Sequence, residues 1–272
     1  MSTIDSQLYE NSNSNTVLII ASAMGVKQSF YQNFAEFASS NYISVITFDY
    51  SGIGKSLSGN IKKQKEFLHG WGNQDLEMVI RNAIEKFPNH RKVVLGHSVG
   101  GQLIGLAPSS VHLDKIILIS AQSGFWGFWK GFNKVKMFLN WHLLFPFLPA
   151  FFGYMPSKKF SKMENLPKNV ANEWAKWCRN SEYLFRFFSK DQLFFNKIKC
   201  DLLSISIDDD FFAPEQSVDW LTKQYQNTKL TRKHLFPADF DVSKIGHFDL
   251  FKTKFKESFW KFLLEEIKDR KI

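Results

Sequence analysis

Gly96-His97-Ser98-Val99-Gly100 is the stretch of this chain whose residue types and spacing could do chemistry. It sets a serine between two glycines, directly after the apolar run 92–95 (KVVL) and before the helical stretch 103–107 (LIGLA). In a strand-turn-helix setting, G-x-S-x-G presents the serine hydroxyl at a strained turn above the sheet edge. Gly96 and Gly100 remove the Cβ atoms that would collide where strand and helix nearly touch. A helix starting there also aims its free N–H groups at an oxyanion.

A serine hydroxyl is a weak nucleophile, so a base must stand beside it and a third group must orient that base. Of the histidines, His234 and His247 follow the late strand. His234 lies within TRKHL, inside a predicted strand, where a structural role fits it better. His247 lies in KIGHF, a loop just before the last helix, from which a base can hang over the sheet edge. Asp208-Asp209-Asp210 ends the apolar run Asp201–Ile207 in a turn closed by Pro214. Asp210 is the expected acid, with Asp209 the alternative, and at least one of the three aspartates only caps or solubilises the turn. An oxyanion needs two backbone donors. Val99 N–H supplies one, and the loop Ser22-Ala23-Met24-Gly25 supplies the other, from Met24 or alternatively Ala23.

The elements that must position these residues alternate. Thr16–Ala21 (TVLIIA) is continuously apolar, as a strand buried on both faces requires. Phe30, Phe34 and Phe37 then share one helix face. Residues 43–48 form a second strand. Leu76, Val79, Ile80, Ala83, Ile84 and Phe87 mark an amphipathic helix ended by Pro88. Residues 92–95, 115–120, 201–207 and 229–236 supply further strands, and Phe259, Phe262, Leu263 and Ile267 line a closing helix. This order predicts an α/β fold with a mostly parallel central sheet and helices on both faces.

The rhythm breaks between residues 121 and 199, where no strand signal occurs. Residues 122–196 hold 21 of the 44 aromatic residues. The expected division is therefore a flexible lead-in at 1–15, a core at 16–120 and 200–272, and a largely helical, aromatic-rich cap at 121–199.

With these motifs in place the chain resembles the α/β-hydrolase superfamily from Thr16 onward. It looks closest to predicted bacterial hydrolases related to serine aminopeptidases. The resemblance rests on Ala23-Met24-Gly25-Val26, the stretch 48–56 (FDYSGIGKS), Gly96 to Gln102, the stretch 174–179 (WAKWCR) and Ile245-Gly246-His247-Phe248. It implies Ser98, Asp210 and His247 as a triad. Two departures stand out. Ala23-Met24 replaces the His-Gly many relatives carry, which leaves the second oxyanion donor open. Ser51 replaces an arginine, which is expected to loosen its loop. Gly-Ile-Gly-Lys-Ser at 52–56 imitates a phosphate loop, but Asp49 stands where the full pattern needs glycine and no amphipathic helix starts at Ser56.

Aromatic residues in the cap suit an apolar acyl substrate, and they equally suit the cap's own core, as for Val170, Trp174 and Trp177 on one helix face. Met137 to Ser157 carries no charged residue over 21 positions. Asn140, His142, Pro146 and Pro149 interrupt it, and its place in mid-domain argues against a membrane span. Shallow membrane contact beside Lys158 and Lys159 is a further reading. The net charge of +9 comes with short basic runs, 62–65 (KKQK) and 158–159, and no nucleic-acid motif. Cys178 and Cys200 make no metal-ligand spacing or disulfide framework, and the polar first seventeen residues lack a secretory pattern. A reduced, cytoplasmic protein without metal or cofactor is expected.

The reading these features support is a serine hydrolase acting through an acyl-enzyme on an ester or thioester with an apolar acyl part. The alternatives are an amide or peptide hydrolase and a non-catalytic ligand-binding member of the fold.

Overall fold

The computed structural model describes residues 4–268. The expectations for residues 1–3 and 269–272 lie outside the described residues. Nine strands are present among them: β1 (Ser6–Tyr9), β2 (Thr16–Ala21), β3 (Ser44–Phe48), β4 (Arg91–His97), β5 (Lys115–Ile119), β6 (Tyr154–Met155), β7 (Leu166–Pro167), β8 (Asp201–Ile207) and β9 (Lys229–Leu235). Seven of them form one sheet in the order β1-β3-β2-β4-β5-β8-β9. All neighbours in it are parallel except β1, which pairs antiparallel with β3, Ser6 opposite Phe48. This is the α/β-hydrolase fold with a helical insert between β5 and β8.

The apolar runs work as sequence alternation demands. Successive side chains of a strand point to opposite faces, so β2 sends Val17, Ile19 and Ala21 into one core and Leu18 and Ile20 into the other. The second core is closed by α1 (Gln32–Ser40) and by the C-terminal helical stretch. The first core is covered by α2 (Leu68–Gly70), which runs through a π-helical turn into α3 (Glu77–Lys86), and by α4 (Val99–Leu103) and the insert.

β1 falls inside the stretch read from sequence as a flexible lead-in. Four residues, two of them exposed, give too short an alternation to detect, and what makes the strand is pairing with β3. The Ser51 loop is likewise tied down rather than loosened. Ser51 N–H and Oγ–H both donate to the buried Asp75 carboxylate, at 2.8 and 2.9 Å, and Trp71 Nε1–H donates to the Ser51 carbonyl.

The insert carries α5 (Gly131–Leu139), a π-helical turn, α6 (Phe145–Phe152), the β6–β7 pair and α7 (Lys168–Cys178). Trp141, Phe145 and Trp174 pack ring against ring at 4.7–5.5 Å, building the insert's own core. Tyr183 Oη joins the insert to α4 by donating to Gln102 Oε1 at 2.7 Å. After β8 come α8 (Glu215–Thr222), then β9 and α9 (Lys261–Lys268).

Candidate active site

Ser98 sits between β4 and α4 with φ 54° and ψ −120°, a conformation a side chain adopts only when its surroundings impose it. The imposition comes from both sides. Ser98 N–H donates to the Ile119 carbonyl of β5 at 2.9 Å, and its own carbonyl accepts from Gly101 N–H at 3.0 Å. A Cβ on Gly96 would lie 2.4 Å from the Gly101 Cα, and one on Gly100 would lie 2.1 Å from the Ala21 carbonyl oxygen. Both glycines are therefore required by backbone-to-backbone approach, as the motif implied.

His247 and Asp210 meet at the same end of the sheet. His247 Nδ1 and Asp210 Oδ2 are 2.7 Å apart and both side chains are buried. Burial alone would raise the Asp210 carboxyl. The charge and hydrogen bond of His247, with the Phe212 N–H, outweigh it and hold the group below the usual carboxylate range. Asp210 is thus an ionised acceptor, so the proton lies on His247 Nδ1 and Nε2 is left as the basic atom. The other Asp210 oxygen accepts from Phe212 and Ala213 N–H.

Of the two aspartates, Asp210 is the one in contact with the His247 ring. Asp209 receives the backbone N–H groups of Ile245 and Gly246 at 3.0 and 2.8 Å, so it holds the loop that carries His247 without touching the ring. His234 stands apart on β9, bonded to Ser206 Oγ at 2.6 Å and facing Asp208 and Glu215.

His97, read from sequence as an elbow position, has a fuller role in the structure. It is fully buried, and burial, helped by the neighbouring His247, lowers its imidazole to about 3, so it is neutral with one ring proton. Its Nε2 lies 2.8 Å from the His247 carbonyl oxygen, which only accepts. Nε2–H is therefore the donor and Nδ1 the acceptor. Nδ1 receives the Tyr31 O–H at 2.8 Å, and Tyr31 Oη in turn accepts from Ala23 N–H at 3.0 Å. One directed series joins the loop after β2, the elbow and the His247 loop. It engages Ala23 N–H, the alternative oxyanion donor, while Met24 and Val99 are buried. No spacing rule in the sequence marks this series, because Tyr31, His97 and His247 meet only once the chain has folded.

Around the site, Phe212 lies edge-on to His247 at 5.5 Å, Trp129 Nε1–H donates to the Phe211 carbonyl, and Gln122 donates to the Phe212 carbonyl. The insert thereby grips the acid-bearing loop. The phosphate-loop imitation is self-occupied: the Asp49 carboxylate accepts from Gln28 and Lys55 N–H, and a Cβ on Gly54 would lie 2.2 Å from Asp49 Oδ2. The carboxylate fills the space an anion would need. Among the described residues no cluster of three or more His, Cys, Asp or Glu side chains is placed to hold a metal.

A family model described as serine aminopeptidase, S33, matches residues 12–203. No curated protein matches the sequence. Solved structures match over nearly the whole chain at low identity. A monoglyceride lipase from Saccharomyces cerevisiae, determined with a substrate analogue, superposes with a TM-score of 0.66 at 13% identity, covering 97% of this chain and 91% of that one. A carboxyl esterase from Bacillus coagulans in complex with glycerol gives 0.62 at 12% identity, covering 97% and 93%. Est1E from Butyrivibrio proteoclasticus, with ferulic acid bound, gives 0.60 at 16% identity, covering 98% and 96%. At these identities the likeness is one of fold. The family match covers most of the chain, and the chain belongs to the serine aminopeptidase S33 family of α/β-hydrolases.

Proposed function

We propose that this family member is a serine hydrolase cleaving carboxylic esters or thioesters with an apolar acyl part. The observation that carries the reading is the buried 2.7 Å bond between His247 Nδ1 and the ionised Asp210, at the sheet end where Ser98 holds its left-handed turn. His247 Nε2 takes the Ser98 hydroxyl proton as Oγ bonds to the substrate carbonyl carbon. Met24 and Val99 N–H hold the resulting oxyanion. Collapse breaks the carbon–oxygen or carbon–sulfur bond, and the leaving group takes the proton from His247. Water then gives His247 a proton while its oxygen attacks the acyl-enzyme. Release of the carboxylic acid returns the proton to Ser98.

The ester preference draws on the rim of Phe211 and Phe212 and on neighbours that are esterases and lipases. Amide or peptide cleavage is the second reading, favoured by the family description. A cytoplasmic setting, where Cys178 and Cys200 stay reduced, belongs to the same proposal. A fluorophosphonate probe and a series of p-nitrophenyl esters of rising chain length test it. Labelling of wild type but not of Ser98→Ala, with kcat/KM rising from acetate toward medium chains, is expected. Equal labelling of both proteins would overturn the nucleophile. Turnover of aminoacyl amides in preference to every ester would favour the second reading.

A further inference from the structure

The helical stretch Gly131–Phe152 is apolar on two opposite faces. Met137, Trp141, Phe145 and Pro149, spaced by four, are buried in the insert's core. Val135, Leu139, Leu143, Phe147 and Phe151, also spaced by four and offset by two, point the other way and are 52, 45, 61, 67 and 73% exposed. Phe132 extends the stripe at 83% exposure. The intervening π-helical turn keeps the four-residue step roughly in line, because it widens the turn beyond 3.6 residues. A helix on the surface of a protein that meets only water carries charge on its outer face. This one carries leucine and phenylalanine there.

Cations frame the stripe. From residue 122 to residue 163 there are six lysines and no aspartate or glutamate. Lys130, Lys134 and Lys136 lie at its start, and Lys158, Lys159 and Lys162 follow its end, all exposed. Among the described residues, Lys158 alone of the last three is paired to a carboxylate, Glu164 at 2.7 Å. Lys159 Nζ sits 5.0 Å over the Phe152 ring, and Lys62 lies against Gly153, a Cβ there being 3.4 Å from Lys62 Cγ. The two basic runs noted in the sequence, 62–65 and 158–159, thus converge on the C-terminal end of α6.

We propose that the α5–α6 face docks on the surface of a bilayer rich in anionic phospholipid. The exposed apolar side chains enter the acyl boundary while the flanking lysines meet phosphate groups. The charge pattern singles out an anionic lipid surface over a second copy of this basic chain, whose lysines would face one another. The helix is long enough to cross a membrane. Its inner face, however, is committed to Trp174 and the insert's core, so it lies along the surface. Lys136 Nζ over the Phe211 ring and Trp129 bonded to the Phe211 carbonyl connect this face to the loop bearing Asp210, so docking brings the candidate active site to the lipid.

Co-sedimentation of the full chain with phosphatidylcholine vesicles, with and without phosphatidylglycerol, tests this without relying on turnover. Wild type is expected to partition at least tenfold more onto the anionic vesicles, with the difference shrinking in high salt. Ser98→Ala is expected to bind as wild type does, which separates docking from the hydrolase reading. The triple variant Leu143→Ser, Phe147→Ser, Phe151→Ser should lose about tenfold or more in partition at unchanged circular dichroism. Lys130→Glu with Lys162→Glu should remove the anionic preference. Equal recovery of wild type and the triple variant in the supernatant would overturn the proposal. So would a wild-type dimer that the triple variant converts to monomer, or retention of the protein in membranes after alkaline carbonate.

Discussion

His97 Nε2–H donates to the backbone carbonyl of His247 at 2.8 Å, across 150 residues of chain. The residue just before the candidate nucleophile therefore sets the height of the candidate base. Replacing it with His97→Phe keeps an aromatic volume but leaves the His247 carbonyl without its donor and the Tyr31 O–H without its acceptor. Each such orphan costs about 1–3 kcal/mol. Ester hydrolysis should fall by about ten- to a hundredfold in kcat, the cost of a small misplacement of the base, with KM for a short ester little changed. Steady-state kinetics beside a urea melt check this. An unchanged kcat in a destabilised protein would reduce His97 to packing.

Asp210 and Asp209 should separate cleanly by substitution. Asp210→Asn removes the acceptor that fixes the His247 tautomer, and kcat should drop by about 10⁴. Asp209→Ala frees the N–H groups of Ile245 and Gly246. It should cost about 2–4 kcal/mol of stability and less than about a hundredfold in kcat. Similar activity losses for the two variants would contradict these separate roles.

Acid should weaken the fold through two buried groups whose native values are lowered. An unfolded histidine titrates near ~6.5 and an unfolded aspartate near ~3.9, whereas native His97 stays neutral down to about 3 and Asp210 is held below its ordinary range. Below pH ~6.5 the unfolded chain binds a proton at residue 97 that the native protein does not. Stability therefore falls with pH from there to about 3, by at most ~1.4 kcal/mol per pH unit from this group. Asp210 contributes stability that is full above pH ~3.9 and is lost as pH drops through its native value. Urea denaturation between pH 4.5 and 6.5, where His97 acts without Asp210, should show a shallower slope in His97→Gln than in wild type.

Gly100→Ala should be among the most damaging single-methyl additions. Its Cβ would meet the Ala21 carbonyl oxygen at 2.1 Å, and neither the end of β2 nor the start of α4 has a side chain to swing aside. A cost of about 3 kcal/mol or more is expected, at the upper end of overpacking effects. The displaced Ala21 would carry the Met24 loop with it, so probe labelling of Ser98 should slow even where the variant stays folded. A thermal melt paired with labelling rates measures both.

Much of this protein was legible in one dimension, because the central strands β2, β4, β5 and β8 announce themselves by burial on both faces. β2 and β8 lie at the residues their apolar runs predict. Ser98, Asp210 and His247 could be nominated since each stands where a core strand ends or a late loop begins, and chain order is a linear property. β1 escaped because a four-residue edge strand has too little pattern of its own and exists through its pairing with Phe48, Thr47, Ile46 and Val45.

What surrounds Ser98 was decided elsewhere. The glycines that permit its strained turn are written in the motif around it, while the Ile119 carbonyl that holds the turn and the Ala21 carbonyl that crowds it come from neighbouring strands. Which aspartate reaches the imidazole, and which neutral histidine fixes that imidazole's backbone, depend on distances between residues 37 and 150 apart in the chain. Hydrogen bonds of about 2.8 Å have no periodicity to read; only folding brings their atoms together. The second apolar face of α5–α6 follows the same logic. Composition showed an uncharged aromatic stretch, and only packing against Trp174 decided which half became core and which half remained exposed.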